Sequence, residues 1–158
     1  MHLRNQIIPV VGDFGGPTAI RSVGEFLRTR GLTVEVFDKG DLDGAIAILR
    51  EGIRVDPTFA RGHNSLGLVL DAKGDRDGAI AEYREAARLE PKGATAHHNL
   101  ALVLQEKGDF ENAVAEYREA VKLDPSSYWG WVNMGVVLCD RLGRYDEAIA
   151  AFREAIRI

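Results

Sequence analysis

Three groups of residues in this 158-residue chain have types and spacings that could do chemistry. The first lies in VVGDFGGPTAIRS, residues 10–22, where an apolar run meets glycines at 12, 15 and 16 and Pro17 opens a stretch with helical spacing. Strand, glycines, helix is the order of a loop that turns backbone N–H groups toward phosphate. Glu35 or Asp38 would stand near the place of a ribose-binding acid, but the glycines do not follow G-x-G-x-x-G. Gly15-Gly16-Pro17 therefore reads as a tight strand-to-helix turn, with no cofactor expected. The second group is His97-His98, whose adjacent helical positions point about 100° apart and cannot clamp one metal ion. His63 and His97 share a column with Trp131, which suits packing between helices, and His98 is left to meet a ligand. The third is the recurring EYREA, with Glu82, Glu85, Glu116 and Glu119 beside Arg84 and Arg118. These read as solvated helix faces with pairing inside each helix. Cys139 has no histidine near it in sequence and reads as a small half-buried side chain. No nucleophile, base and orienting group come together, so the expectation is a non-enzyme with no metal.

Composition narrows the class. The chain is 46% hydrophobic and 28% charged with a net charge of −4, which excludes disorder. No Lys/Arg block is present to neutralise phosphates, so nucleic acid is not an expected partner. No apolar run approaches the ~18 residues that span a bilayer, and IIPVV after Arg4 is too short for a signal-peptide core. One cysteine allows no internal disulfide. The expectation is a cytoplasmic protein that engages no membrane.

The elements that must position these residues follow from self-similarity. Gly40, Gly74, Gly108 and Gly143 recur at spacings of 34, 34 and 35, as do Ala45, Ala79, Ala113 and Ala148. Leu49, Tyr83, Tyr117 and Phe152 form a column of large residues, and Pro57, Pro91 and Pro125 close successive units. In residues 94–125, Leu100, Val103 and Leu104 share one helical face. Gly108 stops that helix and Asp109 is placed to cap the next. Ala113, Val114, Tyr117, Ala120 and Val121 then mark a second helix, its alanines allowing close approach. Asp124-Pro125 ends it, since proline disfavours helical geometry at the preceding residue.

These columns resemble the tetratricopeptide repeat, a 34-residue helix–turn–helix with small residues at positions 8, 20 and 27 and proline at 32. Residues 60–93 and 94–127 fit without a gap; 128–158 fit with one extra residue between Leu138 and Gly143; 38–59 supply only a second helix. The resemblance implies a mainly α chain, a right-handed α-α superhelix of repeats. Gly52 stands where Ala86, Ala120 and Ala155 sit, and should loosen its helix by up to ~1 kcal/mol. No polar capping helix follows the last unit, so Ile149, Phe152 and Ile156 are expected to expose an apolar face.

The resemblance also implies a concave groove lined by the first helix of each unit. Its lining would be Arg61, Asn64, Ser65, Leu68, Asp71 and Ala72, then Thr95, His98, Asn99, Leu102, Gln105 and Glu106, then Trp129, Val132, Asn133, Val136, Cys139 and Asp140. Asn99 and Asn133, 34 apart, resemble the asparagine ladder of the O-linked N-acetylglucosamine transferases. An amide both donates and accepts, so it can grip a peptide backbone or bond the neighbouring repeat. The carboxylate clamp for chaperone tails needs basic residues where this chain has Asn64, Leu68, Trp129 and Asn133; only Asn99 agrees. With Asp71, Glu106 and Asp140 at the rim, an apolar or basic peptide fits better.

Residues 1–37 do not share the repeat. QIIPVV reads as an edge strand, 17–30 as a helix with Ile20, Val23, Phe26 and Leu27 inward, and LTVEVF as a second strand. This β-α-β element resembles the opening of a Rossmann-like nucleotide- or methyl-donor-binding domain. Two parallel strands leave edges unpaired, so residues 5–12 and 32–37 are placed to pair with a second copy, or helix 17–30 replaces the missing first helix of the half repeat. Three functions follow: a non-enzymatic scaffold holding a peptide or protein segment in the groove, a self-assembling module, or a remnant of a cofactor-binding transferase.

Overall fold

The computed structural model describes residues 42–158 throughout, together with the backbone of two strands, β1 (Ile7–Val11) and β2 (Thr33–Phe37). The strands pair in parallel, Ile7 opposite Thr33 through Val11 opposite Phe37. The helix expected over 17–30, the glycines at 12, 15 and 16, and Gly40 lie outside the described residues. Seven helices follow, so the described chain is mainly α.

The chain divides into two compact units, Met1–Leu89 and Glu90–Ile158. The first contains α1 (Leu42–Val55), α2 (Ala60–Ala72) and α3 (Arg76–Leu89), with α2 packed on α3 and on α1. Its core joins Ile48 and Leu49 to Leu66, Val69 and Leu70 and to Ala79, Tyr83 and Ala86. Helix α1 runs through the buried Gly52 without a break. The second unit pairs α4 (Ala94–Glu106) with α5 (Phe110–Leu123) and α6 (Tyr128–Asp140) with α7 (Tyr145–Arg157), and α5 packs on α6. Buried Leu100, Val103, Tyr117, Val137 and Leu138 fill its centre.

Each pair turns on a glycine with positive φ: +89° at Gly74, +81° at Gly108 and +65° at Gly143. L side chains rarely adopt that conformation, so the column is glycine. After α2 and α4 the second and third residues beyond the helix return the same bonds, Gly74 N–H to Asp71 O and Asp75 N–H to Leu70 O, then Gly108 to Gln105 and Asp109 to Leu104. They satisfy carbonyls that the helix end leaves open. The extra residue before Gly143 widens the third turn, where Arg144 N–H reaches Leu138 O at 2.8 Å. Caps differ more than the columns suggest. Asp75 accepts from Gly78 N–H at 3.0 Å and caps α3. Asp109 makes no such bond to the backbone; its carboxylate accepts from the Asn112 side chain at 2.8 Å instead, which corrects its expected capping role.

The small-residue column sets how near the helices lie. A Cβ on Gly67 would sit 2.6 Å from the Tyr83 ring, and one on Gly135 would sit 2.6 Å from the Phe152 ring. Between them in sequence, Ala101 fills the same position and is completely buried. Gly135→Ala should therefore overpack the α6–α7 contact and cost about 1–3 kcal/mol in urea melts. Shortening the ring should relieve it, so Gly135→Ala/Phe152→Leu is expected to lose less than the sum of the two single losses; strict additivity would show that the two sites do not touch.

Candidate functional site

Helices α4 and α6 each commit one side to the core. Ala96, Leu100, Ala101, Val103 and Leu104 are buried on α4, and Gly130, Met134, Gly135, Val137 and Leu138 on α6. Their other side carries the positions assigned to the groove. On α4, Thr95 and Glu106 are exposed, while His98, Asn99, Leu102 and Gln105 are half-buried. On α6, Trp129 is 65% exposed and Val136 38%, with Val132, Asn133 and Cys139 half-buried and Asp140 exposed. On α2, Arg61 and Ala72 are exposed and Asn64, Leu68 and Asp71 half-buried; Ser65 is buried and offers a ligand little.

Several of these side chains already have partners inside the fold. The buried Tyr117 hydroxyl donates to Gln105 Oε1 at 3.0 Å and accepts from the Asn133 amide. One α5 side chain thus ties the α4 face to the α6 face, and Asn133 spends donor capacity on the neighbouring repeat. Burial raises the Tyr117 phenol well above its ordinary range, the Asn133 bond opposes that, and the charge on Glu106 adds to it. His98 stands edge-on to the Tyr117 ring, centroids 5.7 Å apart, and its own burial lowers its pKa, which favours the neutral ring. The Cys139 thiol is pushed up by desolvation and by Asp140.

The histidine column packs between helices as its repeat position suggests. His63 Nδ1 lies 2.7 Å from Glu82 Oε2, and His97 Nδ1 lies 2.7 Å from Glu116 Oε2, each joining the two helices of one pair. Trp131 Nε1 donates to Pro125 O at 3.0 Å, and His63 Nε2 lies 3.2 Å from Pro57 O, the equivalent carbonyl. These contacts correct the reading of EYREA. Glu85 and Glu119 do pair within their helices, with Arg88 and Lys122, but Glu82 and Glu116 face the preceding helix. Arg118 pairs with Glu147 of α7, and Arg144 bridges Glu147 and Glu111. Among the described residues no group of three His, Cys, Asp or Glu is placed to hold a metal ion.

Thr95, His98 and Trp129 meet in one open cleft of about 260 Å³, together with Ala94, Ala120, Asp124 and Ser127. Sequence reasoning misses the last four, because it assigns Asp124 only to ending a helix. The signal that finds them is position: Asp124 and Ser127 flank the turn that delivers Trp129, while Ala94 and Ala120 are too small to fill the space beneath. Asp124 Oδ1 accepts from Ser126 N–H at 3.1 Å and from Ser126 Oγ at 2.6 Å, and Asp56 holds Thr58 in the same way. Ser127 Oγ caps α6 by accepting from Gly130 N–H. The Trp129 indole is set edge-to-face against Tyr128, centroids 5.2 Å apart at 80°.

Consecutive helix pairs with glycine-pinned turns, one face buried and one face open, define a helical-repeat scaffold. The Tetratricopeptide repeat family profile matches residues 66–128 and 98–158, more than half of the chain, and a second TPR repeat profile matches 35–74. The chain belongs to the tetratricopeptide-repeat family, whose scaffolds engage other proteins. No curated protein is significantly similar to it in sequence. Among solved structures it is similar to MamA: one crystal structure superposes with a TM-score of 0.70 at 24% identity, covering 85% of this chain and 73% of that one. A second MamA crystal structure gives 0.70 at 24% over 87% and 69%, and the MamA AMB-1 structure gives 0.67 at 19% over 89% and 70%. At these identities the likeness speaks for the fold. No helix among the described residues is long and apolar enough to cross a membrane.

The Tyr117 network carries a pH signature. A phenol whose ionisation is raised by folding contributes stability below the unfolded value, about 10, and that contribution is lost as pH rises through the folded value. Wild type should therefore need markedly less urea to unfold at pH 11 than at pH 8. Tyr117→Phe should be weaker at pH 8 by about 1–2 kcal/mol, having stranded Gln105 and Asn133, yet show a shallower alkaline decline. Equal pH slopes in the two proteins would remove the hydroxyl from the network.

Proposed function

We propose that the chain is a non-enzymatic scaffold that holds an extended peptide or protein segment along the accessible face of its first helices. The observation that carries this reading is the α6 strip of Trp129, Val132 and Val136. These residues fall at i, i+3 and i+7, and both Trp129 and Val136 remain exposed beside a half-buried Asn133. An exposed tryptophan with a valine one face-length further on is unusual for a solvated helix and suits an apolar contact. Half-buried Leu102 on α4 extends the apolar character, and Asn99 supplies an amide for a peptide backbone. Because Asn133 is bonded to Tyr117, the apolar positions make better probes than the asparagines. Dodecapeptides selected on the full chain from a phage-displayed random library should lose at least about tenfold in affinity with Leu102→Glu or Val132→Glu. Thermal melts of both variants should stay within a few degrees of wild type. Selected peptides that bind the variants and wild type alike would place the interaction elsewhere.

A second reading, self-assembly, rests on α7. Ile149 is 48% exposed and Ile156 is 84% exposed, whereas the residues at the same repeat positions of α5, Val114 and Val121, are buried in a unit where α6 packs on α5. Half-buried Phe152 lies between the two isoleucines. Association through this face predicts a mass in light scattering that rises with concentration and falls to one chain in Ile149→Lys/Ile156→Lys. A mass that both proteins share at every concentration argues against it. Strand pairing through 5–12 and 32–37 would leave the mass of that variant unchanged and above one chain.

A further inference from the structure

We propose that the cleft formed by Thr95, His98, Asp124, Ser127 and Trp129 is a subsite for an arginine or lysine side chain of the bound segment. The inference rests on the groove reading and adds the chemistry of one anchoring residue. Three independent features converge on a cation. Trp129 offers an indole with 65% of its surface exposed, and the edge-to-face contact with Tyr128 holds it in place, so a π face is available at low entropic cost. Asp124 is a lining residue of the same cleft, and its carboxylate is held by Ser126 through Oδ1, which fixes the group before any ligand arrives. Ala120 and Asp124 close the last turn of α5, the negative end of that helix.

Nothing in the cleft competes for these groups. Neither α4 nor α6 contains a lysine or arginine, although both end on an acid, Glu106 and Asp140. The basic residues of this unit sit on α5, α7 and the turns, where Arg118, Lys122, Arg144 and Arg157 are already paired with glutamates. His98, the one side chain at the cleft that could carry positive charge, is half-buried against Tyr117 and held toward its neutral form, so it accepts rather than repels. The first turns of α4 and α6 also border the cleft, and Ser127 meets an N–H of α6 there, which reduces the pull of that helix end on an anion. A volume of about 260 Å³, lined in part by the small Ala94 and Ala120, admits one long side chain and excludes a folded element.

The test uses the full chain and the dodecapeptides selected from the random phage library. The proposal predicts that these peptides carry an arginine or lysine whose replacement by glutamine weakens binding about tenfold. Asp124→Asn, which keeps an acceptor for Ser126, and Trp129→Leu, which keeps an apolar side chain, should each bring that preference to within about twofold. Asp124→Asn should bind the glutamine peptides as wild type does, Trp129→Leu should weaken binding of glutamine and basic peptides to a common level, and circular dichroism should show unchanged helix content in both. Selected peptides without a basic residue, or a preference that survives both variants, overturn the subsite. Sensitivity to Leu102→Glu then still supports the groove, whereas peptides indifferent to Leu102→Glu, or no selected peptides at all, overturn the groove reading and the subsite with it.

Discussion

The structure depends on how closely the second helix of each pair can lie on the first. At Gly67 and Gly135 there is no room for a methyl group, because an aromatic ring from the second helix already occupies the space. Tyr83 and Tyr117 are almost entirely buried, and Phe152 is the partly covered counterpart. A ring pressed against a backbone gains many dispersion contacts at once, and the glycine that permits it gives up helix propensity in exchange. With one side of the first helix fixed in this way, its opposite side is left for other contacts. The open face of α4 and α6 is thus a consequence of the packing rather than a separate feature.

Polar groups then set which residues on that face remain available. Tyr117 reaches through from α5 to bond Gln105 and Asn133, so two of the positions assigned to a ligand are also structural. The histidine–glutamate pairs lie between the two helices of the first two complete repeats and orient the start of one helix against the middle of the other. Exposed ion pairs such as Arg144 with Glu111 and Glu147 add little energy individually. As a linked set they tie the third turn to α5 and α7 and help to hold a turn that has one extra residue.

The fold was legible in the sequence wherever its physics repeats. Glycine at 74, 108 and 143, proline at 57, 91 and 125, and the large column at 83, 117 and 152 each answer a local demand of every unit, so they recur. What did not repeat was not legible. Asp75 caps α3 while Asp109 turns to Asn112, because residue 112 offers an amide where residue 78 is glycine. Whether Asn133 grips a peptide or bonds the neighbouring repeat stayed open in the sequence, because its partner Tyr117 is 16 positions earlier on a different helix. Glu116 was expected in solvent because its partner His97 is 19 residues away. The cleft was invisible for the same reason, since Ala94 opens α4 while Ala120 and Asp124 stand at the end of α5, and only the fold brings them to Trp129.

The distribution of charge links packing to recognition. The second helices face water on their outer sides and carry most of the basic residues, several of which pair within the same helix or across to the next, as Arg88, Lys122 and Arg118 do. The first helices cannot do this. Their buried side admits no charge, and on α4 and α6 the other side holds only neutral and acidic residues. A partner that presented carboxylates to this face would meet the acids Asp124 and Asp140, whereas a basic or apolar partner would meet none of that repulsion. On the proposed reading, selectivity at this face therefore comes as much from the cations it lacks as from the groups it presents, and the indole at Trp129 is the one strong attractive element in an otherwise permissive surface.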